Sequence, residues 1–302
     1  MLPRNLIALF AFATALPAAA ELRSAFAYRL SDAAGVLPLS WPSLTWDPAA
    51  GELYVVDSSA GMVGIFNFNG MSVFSFGDDS SLGSVEGVAP LASGELMVLA
   101  SKGAAWSLIR CNFRGEPQAA LTIAGLPLAF RPTLLRTANG KLYLADPQML
   151  RVLTLDQGGA ILASTDLRAL LQLKQKEDGN DLRGFNVGRE GELLGTIPGL
   201  FLAFVITEDG QVKRFGKRGS APGNFNVVAG IAQDELGNLY VTDVLRAVVM
   251  VFAADFKFLG EFGYRGSADD NLRSPNEVAA GGGRVFVSQS LGGVKAFDVL
   301  LQ

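Results

Sequence analysis

The apolar positions of this chain fall in short runs separated by turn residues. The stretch from Val228 to Tyr264 shows the unit most clearly. Val228–Ala232 is one apolar run, and a turn follows at Gly237-Asn238. Leu239–Thr242 is the next run and ends at Asp243. Ala247–Phe252 comes third and is rich in β-branched residues. A tight turn at Ala254-Asp255 then leads into a fourth run, Phe256–Phe262. Short runs of this composition, bounded by glycine, asparagine and aspartate, predict four antiparallel strands joined by tight turns.

The second strand of this unit recurs with its leading glycine. The copies are GELYVVD at Gly51, GELMVLA at Gly94, GKLYLAD at Gly140, GELLGTI at Gly191, GNLYVTD at Gly237 and GRVFVSQ at Gly283. They lie 43, 46, 51, 46 and 46 residues apart. A four-stranded unit with a period of ~40–50 residues is the signature of a propeller blade. Six copies predict six blades. The long interval after the third copy has a local cause: Asp166–Lys174 reads as a helix, with Asp166 as N-cap and Leu167, Leu170, Leu171 and Lys174 along one stripe. The expected insertion spans about residues 166–176.

The last copy leaves too little chain for a fourth strand after Val294–Asp298. A three-stranded blade would expose a long edge. Ala25–Leu30 is a spare strand-like segment, and it is expected to close the ring as the outer strand of the last blade.

FGKRGSAPGNFNVVAGIAQDELGNLYVTD (Phe215–Asp243) resembles an NHL repeat, whose pattern runs FG…G…G.F…GIA.D..GN.YV.D. Phe262–Gln289 is a second, weaker copy. This resemblance implies an all-β, six-bladed β-propeller of NHL/TolB-like type, with one domain over residues 21–302. It implies little about function, because one fold hosts many activities.

Residues 1–20 read as a cleavable signal peptide. Arg4 supplies the positive start, Leu6–Leu16 the apolar centre, and Ala18-Ala19-Ala20 the small-residue cleavage site. The apolar run is too short to span a membrane, which takes ~20 residues. The expected location is periplasmic or extracellular. Cys111 is the only cysteine, so no internal disulfide is possible; it is expected to be a small buried hydrophobe. Net charge is −4, which argues against a nucleic-acid partner. The cluster Lys213, Arg214, Lys217 and Arg218 is read as a solvated outer strand and turn.

There is no histidine. That excludes Ser-His-Asp and Cys-His catalysis and histidine-bound zinc. Asp178-Gly179-Asn180-Asp181 resembles a calcium loop only superficially, since the fifth position is Leu182 and no bidentate glutamate follows. The starts of the inner strands align at Pro42, Glu86, Pro132, Arg183, Ala229 and Asn276. Among these only Glu86 and Asn276 could ligate a cation, and Arg183 would compete with one. A small binding site at this end of the central channel would use Glu86, Arg131, Arg183, Asn276 and Glu277. Trp41, Trp46 and Trp106 are expected to pack between blades.

These features favour a non-catalytic exported scaffold without cofactor, monomeric on its own, that binds a protein or envelope component. Two other readings stay open. One is a metal-dependent lactonase-like hydrolase of the SMP-30/gluconolactonase type. The other is a small-ligand or glycan sensor.

Overall fold

The computed structural model describes residues 22–32, 35–36, 42–77, 79–174, 181–290 and 292–301. The leader, Trp41 and Asp178–Asn180 lie outside the described residues. So do the last two residues of the expected helical insertion.

The described residues form six four-stranded antiparallel sheets and a two-residue ribbon, Ser31–Asp32 with Gly35–Val36. Each sheet is a blade. The inner strands are Ser43–Asp47, Ser84–Pro90, Leu134–Ala138, Phe185–Val187, Val228–Gln233 and Pro275–Gly281. Each touches the inner strand of the next blade, and the sixth returns to the first. The protein is an all-β, six-bladed propeller.

The core consists of six apolar clusters, one between each pair of neighbouring blades. Tyr143 packs towards blade four, for example, while Leu142 and Leu144 pack towards blade two. Both faces of each blade are thus buried. This is why the second strands read as continuous apolar runs and not as an alternation. No helix among the described residues is long and apolar enough to cross a membrane.

Ring closure falls in blade six. Leu22–Arg29 pairs antiparallel with Val294–Leu301, from Leu22 opposite Leu301 to Arg29 opposite Lys295. The strand begins three residues earlier than its apolar pattern suggests. Its register shifts between Phe26 and Tyr28. Residues two apart normally share a face, but a bulge breaks that rule. Phe26 therefore packs between blades five and six, edge-on to Phe297 with centroids 6.1 Å apart. Tyr28 packs on the other face, between blades six and one.

Two local readings are corrected. The helix after blade three covers only Leu167–Leu170. Asp166 does cap it, its Oδ1 accepting from the Ala169 amide at 3.0 Å. Gln172, at φ 47°, turns the chain out of the helical region, and Leu167 and Leu171 are the buried side chains. In blade five Phe256 belongs to the turn and not to the strand. Its φ of 69° places it in the left-handed region, and the strand runs Phe258–Gly263.

The remaining local features follow the pattern. Lys213 and Arg214 lie on the exposed outer strand Val212–Phe215. Cys111 is fully buried, and burial pushes its thiol pKa up to about 11. Trp46 stacks on Phe286 at 5.3 Å, and Trp106 meets Phe130 edge-on at 6.2 Å.

Candidate functional site at the ring axis

The starts of several inner strands share two local features. In blades two, five and six the register shifts there, at Val85–Gly87, Val228–Ile231 and Pro275–Val278. In blades four, five and six an amide at the strand start donates to a hydroxyl of the second strand. Gly184 N–H donates to Thr196 Oγ1 at 2.8 Å, Gly230 N–H to Thr242 Oγ1 at 2.7 Å, and Glu277 N–H to Ser288 Oγ at 3.0 Å. The Thr196 hydroxyl then donates to the carbonyl of Ala229 in the next blade, and Thr242 to that of Asn276 at 2.7 Å. Inner strands meet here at backbone distance. A Cβ on Gly230 would lie 2.6 Å from the Asn276 oxygen, so only glycine fits.

Pairing with the second strands also aligns the six starts. Leu44, Val88, Leu135, Phe185, Ile231 and Val278 sit opposite Val55, Val98, Leu144, Gly195, Val241 and Val287. One place before them stand Ser43, Gly87, Leu134, Gly184, Gly230 and Glu277. Glu277 thus occupies a position that is glycine in three blades. Blade three is one residue out of step with the sequence alignment: Thr133, not Pro132, is equivalent to Asn276.

Glu277 lies on the axis. It is 9% exposed, and its Oε2 is 3.5 Å from Nη2 of Arg136, itself 4% exposed. Arg136 belongs to blade three, diametrically across the ring from blade six. Next to Glu277, Asn276 Oδ1 accepts from Nη2 of Arg183 at 2.7 Å. Arg183 is exposed at the mouth. Burial raises the Glu277 carboxyl above the usual carboxylate range, and Arg136 and Arg183 oppose that rise.

Of the expected site residues, Arg183, Asn276 and Glu277 come together. Glu86 is half-buried on its own inner strand and accepts from Ser101 Oγ at 3.0 Å. Arg131 is placed elsewhere. It precedes the inner strand, its amide held by Asp146 Oδ2 at 2.7 Å, and it lines a shallow groove with Trp106 and Phe130. Arg136 was not among the expected residues. Its signal is a lone charge inside the apolar run Leu134-Leu135-Arg136. The buried aspartates are structural: Asp146 and Asp243 each cap a turn and hold the chain entering the inner strand.

The axial residues do not fit a divalent cation. The Asn276 oxygen already holds one guanidinium and Glu277 faces two, where a hard cation needs several free oxygens. Among the described residues no group of three or more acidic or cysteine side chains could hold a metal.

No family model matches the chain, and no curated protein does. Solved structures match over most of its length. A gluconolactonase from Xanthomonas campestris is 16% identical with a TM-score of 0.58, covering 92% of this chain and 90% of its own. Regucalcin from Agrobacterium tumefaciens, a calcium-binding protein, is 13% identical with a TM-score of 0.61, covering 88% and 92%. A virginiamycin B lyase from Staphylococcus aureus, bound to quinupristin and inactivated by a histidine-to-alanine change, is 14% identical with a TM-score of 0.57, covering 88% and 84%.

At such identities the likeness shows the six-bladed fold. It also overturns the expectation of a non-catalytic scaffold. That expectation rested on the missing histidine and nucleophile, yet the neighbours of this ring are mostly enzymes. Any chemistry here must differ from that of the lyase, whose activity a histidine substitution abolishes, because this chain has no histidine.

Proposed function

We propose that the protein is a metal-independent propeller hydrolase that opens small cyclic esters at the axial site. The observation that carries this reading is Glu277, a buried carboxylate with a raised pKa, set on the ring axis between two guanidinium groups. Carboxylates tuned in this way serve as general bases near neutral pH.

The chemistry assigned to each residue follows from its place. Glu277 takes a proton from water as the water oxygen bonds to the ester carbonyl carbon. Arg183, at the mouth, stabilises the charge that develops on the carbonyl oxygen. The C–O ring bond then breaks, Glu277 returns its proton to the leaving oxygen, and the product is a hydroxy acid. Arg136 is a positioning residue that holds the Glu277 carboxylate. Glu277 keeps 11% of its side chain in contact with solvent, which supports access from the mouth. The reading carries export with it: the leader motivates a periplasmic or extracellular site of action.

The test is a panel of γ- and δ-lactones, assayed with and without chelator and with Glu277→Gln. Turnover that survives chelation and falls by about 10²–10⁴-fold in Glu277→Gln is expected. Absence of turnover across the panel, or its loss with chelator, would overturn the proposal.

A further inference from the structure

The connection from blade two to blade three is apolar and exposed. Residues 121–130 include no charged side chain, and Thr122 is the one polar side chain among them. The Phe130 amide donates to the Pro127 carbonyl at 3.1 Å and closes a tight turn. Ala129 sits inside that turn at φ 61°, in the left-handed region that favours glycine. The turn buries Phe130 and leaves Leu128 94% exposed. Trp106 Nε1 donates to the Phe130 carbonyl at 3.0 Å, which ties the turn to blade two.

Beside this turn Trp106, Leu121, Ile123 and Leu126 line an apolar groove, and no residue lining it is acidic. Two exposed cations flank it. Arg131 follows the turn, and its guanidinium has no partner among the described residues. Lys102 stands opposite Ala105 in the blade-two hairpin. The connection leads into the start of an inner strand, so it lies at the end where the axial mouth opens. Across the ring at that end, blade five exposes Val227 and Leu245. The exposed acids of this end, Asp79, Asp181, Asp269 and Asp270, sit on other inter-blade connections. The blade-two side therefore leads any contact with a negative surface.

We propose that this end of the ring docks on an anionic lipid bilayer. Leu128 and Leu126 enter the acyl boundary, Trp106 sits at headgroup level, and Lys102 and Arg131 meet lipid phosphates. An exposed apolar patch with a charged rim marks a protein or a membrane contact. A protein partner calls for a hydrogen bond every ~100–200 Å². Residues 121–130 offer one hydroxyl, whereas acyl chains ask for none. The cations suit lipid phosphate even though the protein as a whole carries a net charge of −4. Val227 and Leu245 give a second apolar point on the far side of the mouth, which would then face the lipid. The inference does not depend on catalysis at the axial site.

The test places a polarity-sensitive fluorophore at Ala124→Cys, in the loop, or at Leu236→Cys, at the opposite end. Cys111 is fully buried, so only the new thiol is labelled. Vesicles of phosphatidylcholine containing phosphatidylglycerol should shift the loop label to the blue, saturably, and leave the label at position 236 unchanged. Binding should weaken as salt rises. In the Ala124→Cys protein, Leu128→Ser should weaken binding by about tenfold or more. Arg131→Gln should weaken it roughly fivefold. All these side chains are exposed, and circular dichroism should confirm that each variant folds. Both labelled proteins share one N-terminus, so binding through the leader would survive Leu128→Ser. No shift at the loop label, equal shifts at both labels, equal affinity for pure phosphatidylcholine, or undiminished binding of Leu128→Ser would overturn the proposal.

Discussion

The Thr242 hydroxyl donates to the carbonyl of Asn276 in the next blade at 2.7 Å while it accepts the amide of Gly230 in its own blade at 2.7 Å. One hydroxyl therefore couples two inner strands beside the residue that holds Arg183. Thr242→Val keeps the shape but leaves a buried carbonyl and a buried amide unmade. It should cost about 2–4 kcal/mol, since each orphaned group costs ~1–3 kcal/mol. Thr242→Ser should recover most of that. Urea denaturation of the three proteins checks it, and equal midpoints for wild type and Thr242→Val would refute the coupling.

Arg284 latches blade six to blade one. Its Nη1 donates to the Phe68 carbonyl at 2.6 Å, its Nη2 pairs with Asp298 at 2.6 Å, and its guanidinium lies 4.0 Å from the Phe68 ring centre. The Tyr28 hydroxyl donates to the same carbonyl at 2.5 Å. Arg284→Met should lower stability by about 1–3 kcal/mol. Deleting Leu22–Arg29 should do more, because it strips the partner from Val294–Leu301 and exposes that edge. Thermal melts and light scattering should show a lower Tm for both proteins, and oligomers for the deletion alone. A deleted chain that melts like the parent and stays monomeric would mean that the ring does not depend on this strand.

Stability should rise with pH on the alkaline side and then fall. Burial lowers the Lys295 ammonium pKa to about 8, with Arg29 acting in the same direction. Between that value and the ordinary lysine range the unfolded chain binds more protons than the folded one, so stability increases with pH there. Burial raises the pKa of Tyr54 and Tyr240, and the neighbouring acids Glu52 and Asp234 add to it. Their contribution is present below pH ~10 and is lost above it, because the unfolded phenols ionise first. Denaturation midpoints measured from pH 7 to 11 should pass through a maximum near 9–10, and Lys295→Met should flatten the rise.

The pH dependence of turnover follows from the same reasoning at Glu277. The base must be ionised to act, and burial holds its pKa above the usual carboxylate range. Activity should climb through a value above ~4.3. Arg183→Met removes one of the charges that oppose the rise, and it should move that limb to higher pH. A limb at the ordinary carboxylate value in both proteins would remove Glu277 from the role of base.

Export is tested directly. The leader predicts cleavage after Ala20 when the chain is made in a secreting host. N-terminal sequencing should read Glu21 first; a protein that begins at Met1 would withdraw the assignment of location.

The repeat alone determined the architecture. A glycine, an apolar run and a polar end recurring in phase specify a second strand buried on both faces, and each copy brings its own neighbours through local turns. The count of six, the turn at Ala254-Asp255 and the exposed outer strand of blade four are all local properties, legible without the fold. What the tertiary structure alone decided is non-local. Arg136 and Glu277 stand 141 residues apart in the chain and meet only because closing the ring sets blade three opposite blade six. Periodicity marks Arg136 as a misfit in an apolar strand but cannot say what it faces. Register slips were equally hidden. The bulge beside Ala27 sends Phe26 and Tyr28 to opposite faces, and the shifted start of blade three replaces Pro132 by Thr133. A slip of one residue changes which side chain reaches the axis, and it is fixed by pairing between strands, which the side-chain pattern of a single strand does not encode.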